Sequence, residues 1–202
     1  MPRSPVTLFF VKVLLWLPVI FAAWYFMAIV ATWPVTYLVK TALMWLFPDV
    51  ISLIKQSGYM VEAAAYYTAQ NATAAVPQGV TAELVFEVNA LSYGYCVPLY
   101  TALILATPSE EGEKWFRWVF GMLILQFSQA WGVSFDILKS LLFNVGPEVA
   151  QAFAFSQWQL EAVALGYQFG YLVVPAVTPV VVWMAFHSDY LKTLAPNLVQ
   201  QG

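Results

Sequence analysis

The chain has 202 residues, of which 61% are hydrophobic and only 9% are charged, and its formal net charge is −3. Soluble domains usually carry about 25% charged residues, so this composition excludes an ordinary soluble protein and indicates an integral membrane protein. The small net charge gives no reason to expect a nucleic-acid partner, and a single cysteine with a single histidine excludes an internal disulfide and a multi-histidine metal site. We therefore expect membrane lipid and other membrane proteins as partners, and no cofactor or metal.

The first apolar segment, Leu8–Val30, is long enough to cross a hydrocarbon core of about 30 Å as an α-helix. A second segment, Trp33–Phe47, follows almost at once, with apolar residues at helical spacing and a narrow polar strip formed by Thr36 and Lys40. It is typical of a helix at the membrane interface, or of an extension of the first helix. The alternative is a short second span that packs against partners.

Residues 48–90 are the least membrane-like part of the chain. The residues Pro48 and Asp49 are expected to end the preceding helix. In Ala82–Val88 apolar and polar residues alternate, which predicts a strand, and Tyr59–Tyr67 is a second candidate strand across the polar loop Ala69–Gly79. We expect a small extracytoplasmic β-hairpin or mixed subdomain here.

Three further apolar segments predict three more membrane spans, and they are Leu91–Thr107, Trp118–Phe143 and Ala162–Phe186. The segment Gly146–Trp158 between the last two is expected to be short, amphipathic and outside the membrane. The sequence thus predicts a single all-α polytopic membrane domain over residues 1–202. It would have about four transmembrane helices, one interfacial or short helix at 33–47, and the extracytoplasmic insert 48–90.

Basic residues predict the orientation, because cytoplasmic loops of membrane proteins are enriched in lysine and arginine. Five of them flank the predicted spans on one side: Arg3, Lys12, Lys114, Arg117 and Lys192. The segments 48–90 and 144–161 contain Lys55 as their one basic residue and are otherwise acidic. We therefore expect both termini in the cytoplasm and these two segments outside.

The third predicted span carries a polar face, formed by Gln126, Gln129, Gly132 and Asp136, which recur at helical spacing. Buried amides in a membrane need hydrogen-bond partners, and interhelical bonds of this kind contribute about 0.6–2 kcal/mol each. One interpretation is a packing seam against neighbouring helices, with Gly132 allowing close approach. The other is a polar cleft that binds a partner or ligand, since ionisable residues inside membranes are functional candidates.

A cysteine–histidine nucleophile would require Cys96, Arg117 and His187 to meet. The predicted topology places Cys96 near the outer end of its span and the other two at cytoplasmic ends. We therefore expect Cys96 to be a packing residue and the chain to lack a catalytic site.

Four sequence segments together resemble a known family: FEVNALSYGY, QAWGVSFDILK, GPEV and EAVALGYQFGYLVVP. The order of segments resembles the C-terminal membrane core of exosortases and archaeosortases, membrane enzymes that process proteins with a C-terminal sorting signal. More closely, the chain resembles the small exosortase H-associated membrane proteins of bacteria, over roughly residues 8–190. This resemblance implies a bacterial inner-membrane protein.

The chain departs from the enzymes at the positions where their motif residues fall. The zone Asn89–Ser92 has no cysteine, Gln129–Gly132 has no arginine, and Gly166–Gly170 has no histidine. The resemblance therefore implies a non-catalytic accessory protein that holds a partner's transmembrane helix or sorting signal. Two alternatives stay open, a structural subunit of a larger respiratory, photosynthetic or pilus complex, and a diverged transpeptidase that uses Cys96.

Overall fold

The structure, a computed structural model, describes residues 5–68, 81–145, 150 and 153–194. The predicted loop Ala69–Gly79 lies outside these residues, as does much of Gly146–Trp158. The described chain is mostly helical with one small sheet, as expected. Its elements are α1 Pro5–Phe26, α2 Ala28–Leu46, β1 Ile51–Ser57, β2 Met60–Thr68, β3 Thr81–Asn89, α3 Leu91–Gly94, α4 Cys96–Ala106, α5 Glu111–Phe143, α6 Gln157–Leu172, α7 Val174–Phe186 and α8 Ser188–Leu194.

Helices α1 and α2 follow each other without a loop. The backbone N–H of Met27 bonds to the carbonyl of Ala23, and the N–H of Ala31 bonds to that of Met27, so the helical pattern continues through Met27. The boundary between the two helices is Met27 alone, several residues before the expected start of the second segment. Because α1 packs on α4 whereas α2 packs on α5 and β1, the two helices do not form an antiparallel pair.

The insert is a three-stranded antiparallel sheet in the order β1-β2-β3. Strands β2 and β3 match the two predicted strands within one or two residues. Strand β1 was not predicted, because a register shift between Ile51 and Leu53 interrupts its alternation. One face of the sheet, with Ile54, Val61 and Val88 fully buried, packs on α2 and α5.

Helices α6 and α7 are consecutive but bent by 59° at Val173. Pro175 in the first turn of α7 lacks an amide hydrogen, and proline is a usual cause of such bends. Gly166 and Gly170 let α6 lie close to α5, where the Phe135 ring fills the space beside Gly166 and the Gly132 backbone lies against Gly170.

Among the described residues, α1 and α2 are each long and apolar enough to cross a membrane. The bent pair α6–α7 would make a third crossing if it is one broken span, and α3 with α4 forms a shorter apolar helix, Leu91–Ala106. The chain is thus a membrane protein with at least two such helices.

Two buried clusters organise the packing, and α5 contributes to both. One cluster joins α1, α4 and α7, and α5 adds Leu125 to it. The other joins α2, the sheet and α6, and α5 adds residues from Ala130 to Leu142. The 33 residues of α5 therefore connect the sheet to the helices on which α1 packs.

Candidate functional site

Gln129 lies in a tight seam between α5, α1 and α3. The residue is only 4% exposed, and its Nε2 atom is buried without a hydrogen-bond partner among the described residues. Its amide lies beside the Cys96 thiol. A Cβ atom at Gly94 would lie 2.8 Å from the Trp24 ring and 3.4 Å from Oε1 of Gln129, so only glycine lets α3 approach this closely.

Gly132 lies one turn further along the same seam. The ring of Tyr93 occupies the space into which any side chain at position 132 would point. Tyr93 is itself buried, with 1% of its surface exposed. The absence of a side chain at Gly132 therefore leaves the space in which the Tyr93 ring packs.

Asp136 anchors the hydroxyl of the same tyrosine. The Tyr93 hydroxyl donates a 2.9 Å hydrogen bond to Oδ2 of Asp136, and the ammonium of Lys139 lies 3.9 Å from Oδ1. Lys139 also lies 4.9 Å from the centre of the Tyr167 ring, at the distance of a cation–π contact. The carboxylate is thus held by one hydroxyl and one cation of its own chain.

Gln126 differs from the other three predicted site residues. It is half-buried, on the border between the seam and the exposed face of α5 that carries Leu123 and Phe127. Its Oε1 atom is buried and accepts no hydrogen bond from the described residues. The structure therefore brings Gln129, Gly132 and Asp136 together against α1 and α3, and leaves Gln126 at the edge with an unpaired Oε1 atom.

Several residues of the seam were not predicted from the sequence. Trp24, Tyr93 and Gly94 come from distant parts of the chain, and Ser128 adds another buried oxygen without a partner in the described segments. Tyr93 and Gly94 belong to the segment FEVNALSYGY, so the resemblance pointed to them without assigning a role.

An apolar groove of about 720 Å³ lies on the opposite side of α5, between α2, α5 and α6. Ala42, Ala130 and Ala162 are among its small lining residues, and Trp45, Trp131 and Trp158 are among its large ones. Neither Gln126 nor Gln129 lines the groove, so the polar seam and the groove are separate features.

Cys96 and His187 lie at opposite ends of α4. The Cys96 thiol is fully buried in the first turn and contacts the carbonyl of Tyr93 at 3.5 Å. At the other end, Trp183 donates a 2.9 Å hydrogen bond to Thr107, and the His187 ring stacks on Trp183. The eleven residues of α4 separate the two ends by about 16 Å, so His187 is too far away to act as a base for the thiol.

The sequence profile of the family described as exosortase H-associated membrane protein matches residues 3–190, which is nearly the whole chain. No curated protein and no solved structure is significantly similar to the chain. The matched range includes both apolar helices at the start, the sheet and the polar seam on α5. The chain therefore belongs to the family of exosortase H-associated membrane proteins.

Proposed function

We propose that this chain is a non-catalytic accessory protein of an exosortase-type surface-protein sorting system, and that it holds a partner's transmembrane helix or sorting signal. Its family membership supports the association with exosortase systems. The separation of Cys96 from His187 supports a role without nucleophilic catalysis. The observation that carries the binding role is the Oε1 atom of Gln126, which is buried at the edge of the polar seam and accepts no hydrogen bond from the described residues.

We place four crossings in a bacterial inner membrane, formed by α1, α3–α4, α5 and α6–α7, with both termini cytoplasmic. Packing at one end of the helices supports this arrangement. Phe9 near the start of α1 stacks on Trp183 of α7, with 5.1 Å between the ring centres, and Trp183 bonds to Thr107 at the end of α4. The ends of three helices thus meet, near the basic residues Lys114 and Arg117.

The environment of Gln126 suits a helix from a partner. Leu123 and Phe127 beside it are 54% and 66% exposed, as expected for side chains that face lipid or another membrane protein. In a membrane, an amide without a hydrogen bond costs free energy, because lipid offers neither donor nor acceptor. When the Gln126 side chain turns outward, a partner helix with a serine, threonine, asparagine or glutamine at this level would satisfy its Oε1 atom and cover the adjacent apolar surface.

Gln129, Gly132 and Asp136 act behind Gln126 in this proposal. They fix α5 against Tyr93 and Gly94, so that the edge of the seam keeps a defined shape. Of the four residues, Gln126 makes the direct contact with the partner and the other three are positioning residues.

The test is affinity purification of the full chain from its native host in mild detergent, with mass spectrometry of the recovered proteins. Recovery of an exosortase, or of proteins with C-terminal sorting tails, is expected. Because an interhelical hydrogen bond contributes about 0.6–2 kcal/mol, Gln126→Leu should lower that recovery about three- to thirtyfold.

The matched control is Gln157→Leu, which makes the same change at an exposed glutamine in the first turn of α6. It should retain the partner far better than Gln126→Leu. Equal recovery by the native chain and Gln126→Leu would refute the binding role. Stoichiometric recovery of a respiratory, photosynthetic or pilus complex in place of sorting proteins would refute the accessory function.

A further inference from the structure

Strand β3 forms one edge of the sheet, and its backbone geometry shows which groups point outward. The N–H of Ala90 bonds to the carbonyl of Tyr59 at 3.3 Å, which extends the pairing of Met60 with Asn89 by one residue. In an antiparallel ladder, hydrogen-bonded and non-bonded pairs alternate. The even-numbered residues of β3 therefore bond to β2, and the backbone groups of Glu83, Val85 and Glu87 point away from the sheet.

The two edges of the sheet differ. Strand β1 has a register shift between Ile51 and Leu53, an irregularity that discourages further pairing. Strand β3 pairs with β2 over nine residues without any shift. From Glu83 to Glu87 its outward donors and acceptors are thus in regular register for another strand. No strand of the described segments pairs with this part of the edge, which makes it a template for strand addition.

On the exposed face of the sheet, the charges on β1 and β2 are paired, whereas the carboxylates on β3 are not. Lys55 pairs with Glu62 at 2.7 Å, and Glu62 lies directly opposite Glu87 in the register. Like charges in such positions are unfavourable. Within the described segments, neither Glu87 nor Glu83 forms an ion pair with a cation, although the charges of both help to raise the pKa of Lys55. A fourth strand with basic residues opposite these two carboxylates would balance the face.

We propose that the free edge of β3 binds an extended segment of a partner polypeptide by strand addition. Glu83 and Glu87 are four residues apart on one strand, so they would face two basic residues that are also four apart in the partner. This spacing holds for parallel and antiparallel addition alike. The backbone would supply the affinity, and the two carboxylates would select a basic segment.

A second copy of this chain is a poor occupant for the edge. Antiparallel pairing of two β3 strands centred on Val85 would place Glu83 of each copy opposite Glu87 of the other. Four carboxylates would then meet with no cation between them, which opposes self-association. The charge pattern therefore selects a different, basic polypeptide.

The position of β3 indicates which part of a partner could reach it. The strand runs directly into α3 and α4, the apolar helix Leu91–Ala106, so its C-terminal end lies at that apolar helix. The extended segment next to a partner's own membrane span would lie within reach. This site is distinct from Gln126 and does not depend on the exosortase association.

The experiment measures binding of a labelled peptide to the full chain in lipid nanodiscs by fluorescence anisotropy. The probe is a Thr/Val-rich peptide with two lysines four residues apart, and the comparison peptide carries glutamates at the same places. The native chain should bind the lysine peptide at least about tenfold more tightly, because opposite charges stabilise cross-strand pairs and like charges destabilise them.

Two substitutions separate the backbone from the charges. In Val85→Pro the lost N–H is one that points away from β2, so the variant keeps the sheet and blocks the added strand. Val85→Thr is its control and should bind like the native chain. The double variant Glu83→Lys with Glu87→Lys lies on the exposed face and should reverse the preference toward the glutamate peptide.

Equal binding by folded Val85→Pro and Val85→Thr would overturn the proposal, as would an unchanged preference after charge reversal. If Val85→Pro does not fold, the charge-reversal variant decides alone. Dimerisation of the chain through β3, detected by crosslinking of a cysteine introduced at position 85, would also overturn it.

Discussion

The ring of Tyr93 occupies the place where Gly132 has no side chain, and its hydroxyl reaches Asp136 one turn further along α5. One aromatic side chain thus contacts two positions of the same helix, the first by close packing and the second by a hydrogen bond. Because Tyr93 lies in α3, immediately after β3, this contact holds the chain segment that follows the sheet against α5.

Substitution of Gly132 by alanine tests the close contact. A methyl group there would overlap the Tyr93 ring, and such overpacking typically costs about 1–3 kcal/mol. We expect a lower melting temperature in detergent for Gly132→Ala. Its control is Gly112→Ala in the same helix, where nothing lies within 4 Å of the added atom. That variant should be slightly more stable, because alanine is the better helix former, and destabilisation of both to the same degree would contradict the explanation.

The hydrogen bond between Tyr93 and Asp136 predicts a second result. In Tyr93→Phe the ring stays in place while the carboxylate loses its hydroxyl donor, and bonds to charged groups contribute about 1.5–3 kcal/mol. The loss should vanish in an Asp136→Ala background, which has no acceptor for the hydroxyl, and a double-mutant cycle of thermal unfolding would measure this. Tyr37→Phe serves as the control, because Tyr37 is 64% exposed. An additive cycle would show that the two residues are not coupled.

The unpaired amide of Gln129 predicts a gain in stability from a less polar residue. Methionine has a similar length and flexibility, and it would remove a buried donor that has no partner in the described part of the chain. Leaving such a group unpaired costs about 1–3 kcal/mol, so Gln129→Met should unfold at a higher temperature than the native chain. A marked loss of stability would mean that Nε2 has a partner, such as a buried water molecule.

The ion pair between Lys55 and Glu62 predicts a dependence on pH. Hydrogen bonds to Glu62, first from Lys55 and then from Ser57, hold the pKa of the Glu62 carboxyl below its ordinary value. A lowered pKa contributes stability above the unfolded value, and this is lost as the pH falls through the folded value. The native chain and Lys55→Gln should therefore differ in melting temperature near pH 7 and converge below about pH 4.

The contribution of the same ion pair to stability is also lost at high pH, when Lys55 loses its proton. The pKa of Lys55 is raised by its hydrogen bond to Glu62, so its contribution is complete below the unfolded value and disappears as the pH rises through the folded one. A difference between the two proteins that stays constant from acid to alkaline pH would contradict the assignment. The control is Lys40→Gln, because Lys40 is exposed and forms no ion pair within the described segments.

The sequence predicted those parts of the fold in which local pattern and tertiary structure agree. Strand β3 is evident from the alternation of Leu84, Phe86 and Val88 with glutamates. The start of α5 was placed at Trp118 because hydrophobicity marks membrane residues. The helix begins at Glu111, since glutamate and lysine form helix readily in a solvent-exposed turn.

The candidate site could be predicted only in part. Helical spacing predicts that Gln126, Gln129, Gly132 and Asp136 share one face of α5, because that period depends on a single helix. The same spacing could not show that Tyr93 fills the notch at Gly132, since that contact joins residues from separate elements. Nor could it show that Gln126 lies at the edge of the group, because the neighbouring helices decide which side chains of α5 are covered.

Four of the apolar helices contain an internal proline, Pro18 in α1, Pro34 in α2, Pro98 in the apolar helix Leu91–Ala106 and Pro179 in α7, whereas α5 contains none. A missing amide hydrogen weakens a helix locally and makes it a place of bending. With 33 residues, α5 is about 50 Å long, so even at a tilt of 40° it would extend beyond a hydrocarbon core of about 30 Å. Helix α5 is thus stiff, whereas the neighbouring helices that contain proline can bend. A displacement of the sheet would therefore tilt α5 as a rigid body. The other helices would adjust to this tilt by bending at their prolines.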